Sequence, residues 1–133
     1  MKNIPIRISV KTVYIPEQSA PESNRFLWSY EIKLWNESDE IVQLLNRFWR
    51  ITDMTGYVEE VRGHGVVGLQ PLLWPKADEF VYTSFCQLTT PQGTMEGHFG
   101  LQTLQKEAFI LDIPKFILTS PVSISTGLRS RLH

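Results

Sequence analysis

A run of glycines is the part of this chain that comes nearest to a known chemical motif. Residues 63–68 read GHGVVG, which has the GxGxxG spacing. In dinucleotide-binding folds that spacing joins a strand to a helix whose N-terminal N–H groups hold pyrophosphate. No helical periodicity follows here, and Pro71 and Pro75 interrupt the next residues. The simpler interpretation is a glycine-rich loop that uses positive φ angles and close backbone approach.

An anion site is the alternative interpretation of the same segment. Backbone N–H groups in tight turns bind anions without a helix, and basic side chains stand beside these glycines. The candidate ligand-binding residues are Arg62, Gly63, His64, Gly65 and Gly68. On this hypothesis the protein is a sensor for a small anion, namely pyrophosphate or a nucleotide that contains it.

Metal ligation has less support from the sequence. The histidines are His64, His98 and His133, without His-x₃-His spacing, and the lone cysteine excludes Cys-x₂-Cys. Glu96 shares a strand face with His98, and Glu59 adjoins Glu60, but neither pair is a ligand set. Carboxylates in such positions are most often solvated. We therefore expect no metal site and no cofactor.

Nucleophilic catalysis is also disfavoured. Cys86 falls on the same face of its predicted strand as Phe80 and Tyr82. This position is typical of a small buried apolar residue and not of a reactive thiol. Ser84 and His98 would have to meet across strands, and no spacing indicates a triad. The sequence predicts no catalytic residue, and we expect a protein that is not an enzyme.

Two tryptophans suggest a binding role instead. Trp35 and Trp74 lie next to predicted turns, whereas most other aromatic residues occupy strand positions that are predicted to face the core. Exposed aromatic residues beside a polar rim are typical anchors of protein interfaces. The leading interpretation is therefore a non-catalytic module that binds a protein partner. Pairing of an edge strand with a second copy would also give a homodimer.

Composition limits the other partners and the compartment. The 133 residues carry a net charge of −1 with dispersed arginines, so nucleic-acid binding is not expected. No stretch approaches the roughly 20 apolar residues of a membrane helix, and no signal peptide is evident at the N-terminus. The single cysteine forms no intrachain disulfide, which favours a reducing compartment. These features predict a cytoplasmic protein.

The elements that must position these residues are strands. Alternation with period two predicts strands over residues 6–14, 26–34, 41–52, 57–62, 79–88, 95–101 and 109–118, with one further short strand within 63–75. Residues 16–23 and 89–93 are predicted to be a loop and a turn, and the tail from about residue 120 is polar. The pattern predicts one all-β domain over residues 1–133, an antiparallel β-sandwich of seven or eight strands.

Two interruptions of the alternation carry structural information. Leu44 and Leu45 are adjacent apolar residues, which indicates a β-bulge or burial of both faces; a helix is the less favoured alternative. Pro114 interrupts the last strand, which favours an edge position or a bulge.

Long runs of the sequence resemble the bacterial ApaG (CorD) family. They are VQLLNRFWRITDMTGYVEEVRGHGVVGLQPLL, FVYTSFCQLTTPQGTMEGHFG and FILDIPKFIL, together with the strand at 28–34. The resemblance implies an immunoglobulin-like or fibronectin-III-like sandwich in a protein of poorly defined activity, from a family associated with cobalt tolerance and magnesium efflux. Similar domains in eukaryotic F-box proteins and in a DNA-polymerase-delta-interacting protein look like protein-interaction modules.

This chain departs from the family pattern in two turns. Family members usually have Pro-Gly before the strand that begins FVYTS here, where this chain has Pro75-Lys76-Ala77. They often have a glycine before the last strand, where this chain has Lys106-Glu107-Ala108. Both departures concern the conformation of a turn.

Overall fold

The computed structural model describes residues 4–76 and 79–121. Among them are eight strands: β1 (Ile6–Tyr14), β2 (Phe26–Asn36), β3 (Val42–Asp53), β4 (Val58–His64), β5 (Leu72–Leu73), β6 (Phe80–Leu88), β7 (Gln92–Thr103) and β8 (Ala108–Thr119). The loop predicted over 16–23 contains two single 3₁₀ turns, Pro16–Gln18 and Pro21–Ser23. The polar tail predicted from about residue 120 lies almost wholly outside the described residues.

The strands form two antiparallel sheets. One has the order β1-β2-β6, and the other has the order β4-β3-β7-β8 with β5 paired to the start of β3. This confirms the predicted immunoglobulin-like or fibronectin-III-like sandwich. In the second sheet β8 is an edge strand, and its register with β7 shifts between Met95 and Gly97, close to where Pro114 falls. The expectation for Pro114 is therefore also confirmed.

The core lies between the sheets and is rich in aromatic rings. Strand β2 alternates without a break between buried and half-buried residues, as its sequence predicts. Its Tyr30 packs edge-to-face on Trp49 of the other sheet at 5.3 Å between ring centroids. Trp28 Nε1 donates a hydrogen bond of 2.7 Å to the Thr119 carbonyl, which ties β2 to the end of β8. The two sheets are therefore linked by aromatic packing and by a side-chain hydrogen bond.

A β-bulge at Leu45 reverses the faces of β3. Residues 42 to 44 pair in one register with β7, and pairing resumes at Asn46 after a shift. Val42 and Leu44 face the core before the bulge, and Trp49 faces it afterwards, so the inward parity changes from even to odd. Phe48, which has the parity of Leu44, consequently lies on the outer face.

Some predicted strand ends were wrong. Strand β4 continues through Gly63 and His64, because both residues pair with β3 at Arg47 and Asn46. The glycine motif therefore begins inside a strand and not in a loop. Likewise, the turn predicted over 89–93 ends early, since β7 begins at Gln92, which pairs with Thr119 of β8.

Two hairpins close with the same loop geometry but different residues. In the β3–β4 hairpin the Gly56 N–H donates to Asp53 O at 3.1 Å, and φ at Gly56 is 91°. In the β7–β8 hairpin the Lys106 N–H donates to Thr103 O at 3.0 Å, and φ at Lys106 is 70°. This position of a three-residue hairpin loop needs a left-handed residue, for which glycine is best suited. Lys106 adopts that conformation in the turn where the family often has glycine, and Lys76, with φ of 54°, does so in the other divergent turn.

The paired loops give a test of backbone strain. We expect Lys106→Gly to raise the free energy of unfolding by about 1 kcal/mol, because it removes the left-handed penalty of a residue with a Cβ. Gly56→Lys in the matching loop should lower it by a similar amount. Lys11→Gly, in the middle of β1, is the control and should destabilise the protein. Urea unfolding measures all three; a Lys106→Gly protein no more stable than wild type would contradict the account.

Candidate functional site

The glycine segment, residues 63–68, is hydrogen-bonded to the β3 bulge. The Leu45 carbonyl accepts hydrogen bonds from the Gly65 N–H at 2.7 Å and from Gln70 Nε2 at 2.9 Å. Leu44 N–H donates to the Pro71 carbonyl at 3.0 Å just beyond. A bulge leaves one residue out of the regular ladder. Here the carbonyl freed at that residue binds Gly65 and Gln70, which flank the reversal at 66–69.

Within the segment the chain reverses tightly between Val66 and Leu69. The two residues exchange N–H···O bonds of 2.8 Å, with Val67 and Gly68 at φ of 44° and 80°. A Cβ on Gly65 would collide with the Leu69 carbonyl oxygen, so glycine is required there. The N–H groups of Gly65, Val66 and Leu69 all donate to backbone carbonyls. They are therefore not free to form the anion-binding nest of a dinucleotide turn.

Arg47 contacts the glycine segment from the side that faces the other sheet. Its Nη1 donates to the His64 carbonyl at 3.1 Å and to the Gly65 carbonyl at 2.9 Å. The guanidinium lies against Gly63, where a Cβ would come within 2.7 Å of it. Sequence reasoning missed Arg47, because its inward direction depends on the bulge. The adjacent leucines at 44 and 45 were the available signal.

A shallow depression of about 430 Å³ lies on the outer face of the larger sheet, over β3, β4 and β7. The outer face carries a cross-strand row in which Arg62, Phe48, His98 and Asp112 are successive register partners. Arg62 lies over the Phe48 ring at 4.3 Å from its centroid, and His98 stacks on the same ring at 5.0 Å. Phe48 is thus held between a cation and an imidazole.

The depression brings part of the predicted anion site together. Its lining residues among those described are Asn46, Arg47, Phe48, Arg62, Gly63, His64 and His98, none of them acidic. Arg62, Gly63 and His64 therefore lie where the sequence placed the site. Gly65 and Gly68 do not line it, since they shape the reversal behind it. His98 was considered only for metal or triad chemistry, and its contact with Phe48 depends on the bulge.

The side chains in the neighbouring cross-strand row on this face form ion pairs with one another. Arg50 makes a two-pronged contact with Glu60, with Nη2 to Oε2 at 2.9 Å, and Lys115 lies 3.8 Å from Glu96. These ion pairs are exposed, so each stabilises the fold by less than about 1 kcal/mol. Their effect here is to neutralise one row and leave the positive charge of Arg62 on the next.

A second opening, of about 300 Å³, lies between the sheets along β4 and β6. Tyr30, Arg47, Glu59, Ser84 and Cys86 are among its lining residues. Burial raises the pKa of the Cys86 thiol to about 12, and the nearby Glu59 carboxylate adds to the increase. Burial also raises the pKa of the Tyr30 hydroxyl. The thiol and the hydroxyl are therefore neutral at physiological pH.

The other candidate residues lie apart from one another. Ser84 faces the opening between the sheets, whereas His98 lies on the outer face of the larger sheet, so the two do not meet. Glu59 and Glu60 point to opposite faces of β4. Within residues 4–76 and 79–121 no group of three His, Cys, Asp or Glu side chains is arranged to hold a metal ion.

The two tryptophans differ in their exposure. Trp74 follows β5 and is 55% exposed. Trp35 lies on the outer face of the smaller sheet, half-buried beneath the Arg7 guanidinium at 4.1 Å from the ring centroid. No helix in the described part of the chain is long and apolar enough to cross a membrane.

The sandwich, the bulged β3 and the glycine segment define an ApaG-type β-sandwich domain. The ApaG domain model matches residues 16–103, and the chain belongs to this family. Protein ApaG of Brucella anthropi is 51% identical over 116 residues, which cover 87% of this chain and 88% of the relative. Protein ApaG of Mesorhizobium japonicum is 49% identical over the same shares of each chain.

Solved structures agree with this assignment. A crystal structure named as a putative ApaA protein of Bordetella pertussis is 40% identical, with a TM-score of 0.86 over 90% of this chain and 97% of that one. A protein from Archaeoglobus fulgidus has a TM-score of 0.51 at 10% identity, over 89% of this chain and 98% of that one. The latter likeness extends to the fold alone.

The raised pKa of Cys86 gives a prediction about reactivity. At pH 7.5 the thiolate fraction should be roughly a thousandfold below that of an exposed cysteine, since each unit of pKa is a factor of ten. Native protein should therefore react with a thiol reagent far more slowly than protein in denaturant. Ser9→Cys in a Cys86→Ala background, on the exposed face of β1 in the same sheet, is the control for a freely reacting thiol. Equal native rates for Cys86 and the control cysteine would refute the assignment.

Proposed function

We propose that this chain is a non-catalytic binding module that captures a protein partner through the 67–74 surface, defined as the side chains of Val67, Leu69, Leu72 and Trp74. These four large apolar side chains are each between 44% and 55% exposed within eight residues of chain. That concentration is the observation that carries the proposal. Exposed apolar clusters with an aromatic anchor are characteristic of protein-binding sites.

Backbone contacts support the proposal by holding this surface in place. Leu73 pairs with Val42 and is buried, so it anchors the chain between exposed Leu72 and Trp74. Gln43 Nε2 donates to the Gln70 carbonyl at 3.0 Å. A surface fixed before binding loses less conformational entropy when a partner docks. Trp35 would contribute less, because Arg7 already covers its ring.

The alternative function is binding of a small anion in the depression on the outer face. Its support is the basic, acid-free lining that contains Arg62, His64 and His98. Since the N–H groups of Gly65, Val66 and Leu69 donate to backbone carbonyls, we assign the ligand contacts to the side chains that line the depression. Pyrophosphate, or a nucleotide carrying it, is the ligand class that we infer for this site.

The family's association with cobalt tolerance and magnesium efflux is compatible with the first proposal if the effect on cations is indirect. We infer that any effect on divalent cations passes through the bound partner, since the described residues supply no three-ligand cluster. A cytoplasmic location stays an expectation, supported by the single buried cysteine.

The partner proposal predicts a selective loss of binding. A tagged Leu72→Ser/Trp74→Ala protein should lose the partners that wild type retains from a lysate, because both changes remove exposed apolar contacts. Ile117→Ala is the matched control: Ile117 is 57% exposed and pairs with Thr94 at the opposite end of the larger sheet. Quantitative mass spectrometry compares the retained proteins. Retention of the same proteins by the double variant and by wild type would contradict the proposal.

The anion proposal predicts measurable heat with pyrophosphate. Arg62→Gln and His64→Gln should each weaken binding by about tenfold, the effect of one lost charge-assisted contact. Arg50→Gln is the control, because Arg50 is on the same face but already paired with Glu60. Gly65→Ala is unsuitable, since it would distort the reversal itself. Absence of heat at about 5 mM pyrophosphate, or equal losses in all three variants, would refute specific binding.

A further inference from the structure

Apart from the two-residue β5, the sheets formed by the described residues have four edge strands, and three of these carry features that hinder pairing with another chain. Strand β1 has Arg7 and Lys11 at its edge, β4 has Glu59 and Glu60, and β8 has Pro114 within an irregular register. Charged residues, prolines and irregularities are the devices by which natural sheets block edge-to-edge association. The remaining edge, β6, lacks all of these devices.

Strand β6 reads FVYTSFCQL, nine residues without a charge, a proline or a glycine. It pairs with β2 along one side, and no strand in the described part of the chain pairs with its other side. Its outward side chains, Val81, Thr83, Phe85 and Gln87, are all exposed, with Phe85 59% exposed. A long, uncharged edge with β-branched and aromatic residues is a template for sheet extension.

We propose that β6 pairs antiparallel with β6 of a second copy of this chain, with Thr83 on the two-fold axis. The two smaller sheets would then form one six-stranded sheet. In this register Phe85 of each copy faces Val81 of the other, and the two Thr83 side chains face each other. Aromatic–β-branched pairs and Thr–Thr pairs are favourable cross-strand combinations, so every outward contact near the axis is productive.

Charge is the reason for assigning a second copy as the occupant. A two-fold antiparallel pair brings each side chain near its own symmetry mate or near one a few residues away, so a strand with charges of one sign repels itself. Strand β6 has no charged side chain, so no such repulsion opposes its pairing with a second copy. The register centred on Ser84 is less favourable, because it would place Phe85 against Thr83 and Val81 against Gln87.

This dimer is independent of the 67–74 surface and of the anion depression. Strand β6 contributes none of the residues of either one. Loss of partner capture in the Leu72→Ser/Trp74→Ala variant would therefore leave the dimer intact, and loss of the dimer would leave pyrophosphate binding unchanged. Each proposal can fail without the others.

Covalent trapping tests the register. In a Cys86→Ala background, Thr83→Cys should give a disulfide-linked dimer under mild oxidation, since facing residues in a sheet lie within disulfide distance. Val81→Cys in the same background is the matched control and should link much more slowly, because position 81 faces Phe85 of the other copy. Equal linking rates would show random collision or another register and would overturn the proposal.

Charge substitution tests the contact itself by sedimentation or light scattering. Val81→Lys and Phe85→Glu should each weaken dimerisation at least tenfold, about 1.4 kcal/mol, while the fold stays intact by circular dichroism because both positions are exposed. The variant that carries both substitutions should restore the dimer. In it the new lysine of each copy faces the new glutamate of the other, whereas the two positions within one strand are too far apart to pair.

Two results would overturn the dimer. One is a wild-type protein that stays monomeric up to roughly 1 mM. The other is a dimer that neither Val81→Lys nor Phe85→Glu weakens, since such a dimer would use a different surface.

Discussion

One extra residue in β3 is the constraint on which the outer face of the larger sheet depends. Because side chains alternate with period two, the bulge at Leu45 exchanges the faces of every later residue in the strand. It turns Trp49 into the core and Phe48 outward, where Phe48 stacks between Arg62 and His98. Without the bulge, Phe48 would face the core and Trp49 would face solvent. The outer face would then lack its aromatic centre.

The same bulge joins the fold to the glycine segment. Leu45 O accepts from Gly65 N–H and from Gln70, and Arg47, turned inward by the shift, donates to the carbonyls of His64 and Gly65. The reversal is thus held from both sides by β3. The 67–74 surface continues directly from it and is anchored by the pairing of β5 with the start of β3. One local irregularity therefore positions both of the candidate binding surfaces.

Sequence reasoning succeeded where local alternation was undisturbed and failed where a long-range pairing decided the outcome. The strict alternation in β2 and β6 predicted which side chains face the core, because a strand buried on one face has an apolar residue at every second position. The pair of leucines indicated a β-bulge or burial of both faces, but not which residues would turn inward, so Arg47 was missed. Gly63 and His64 looked like loop residues, yet pairing with β3 makes them strand. The left-handed conformation of Lys106 had no signal in its own residue type, since hairpin closure imposes it.

The ionisable groups inside the sandwich differ in environment from those on its outer face. Inside, burial raises the pKa values of Cys86, Tyr30 and Tyr82, so the buried thiol and hydroxyls keep their protons at physiological pH. The Tyr82 hydroxyl has no hydrogen-bond partner among the described residues, and such a group destabilises the fold by about 1–3 kcal/mol. A nucleophile or general base needs the opposite environment, with its charged form stabilised. Outside, Arg62 keeps its charge on an aromatic support while the adjacent row is neutralised by ion pairs. This contrast is why the proposals for this domain concern binding at its surface and assign no chemistry to the buried thiol and hydroxyls.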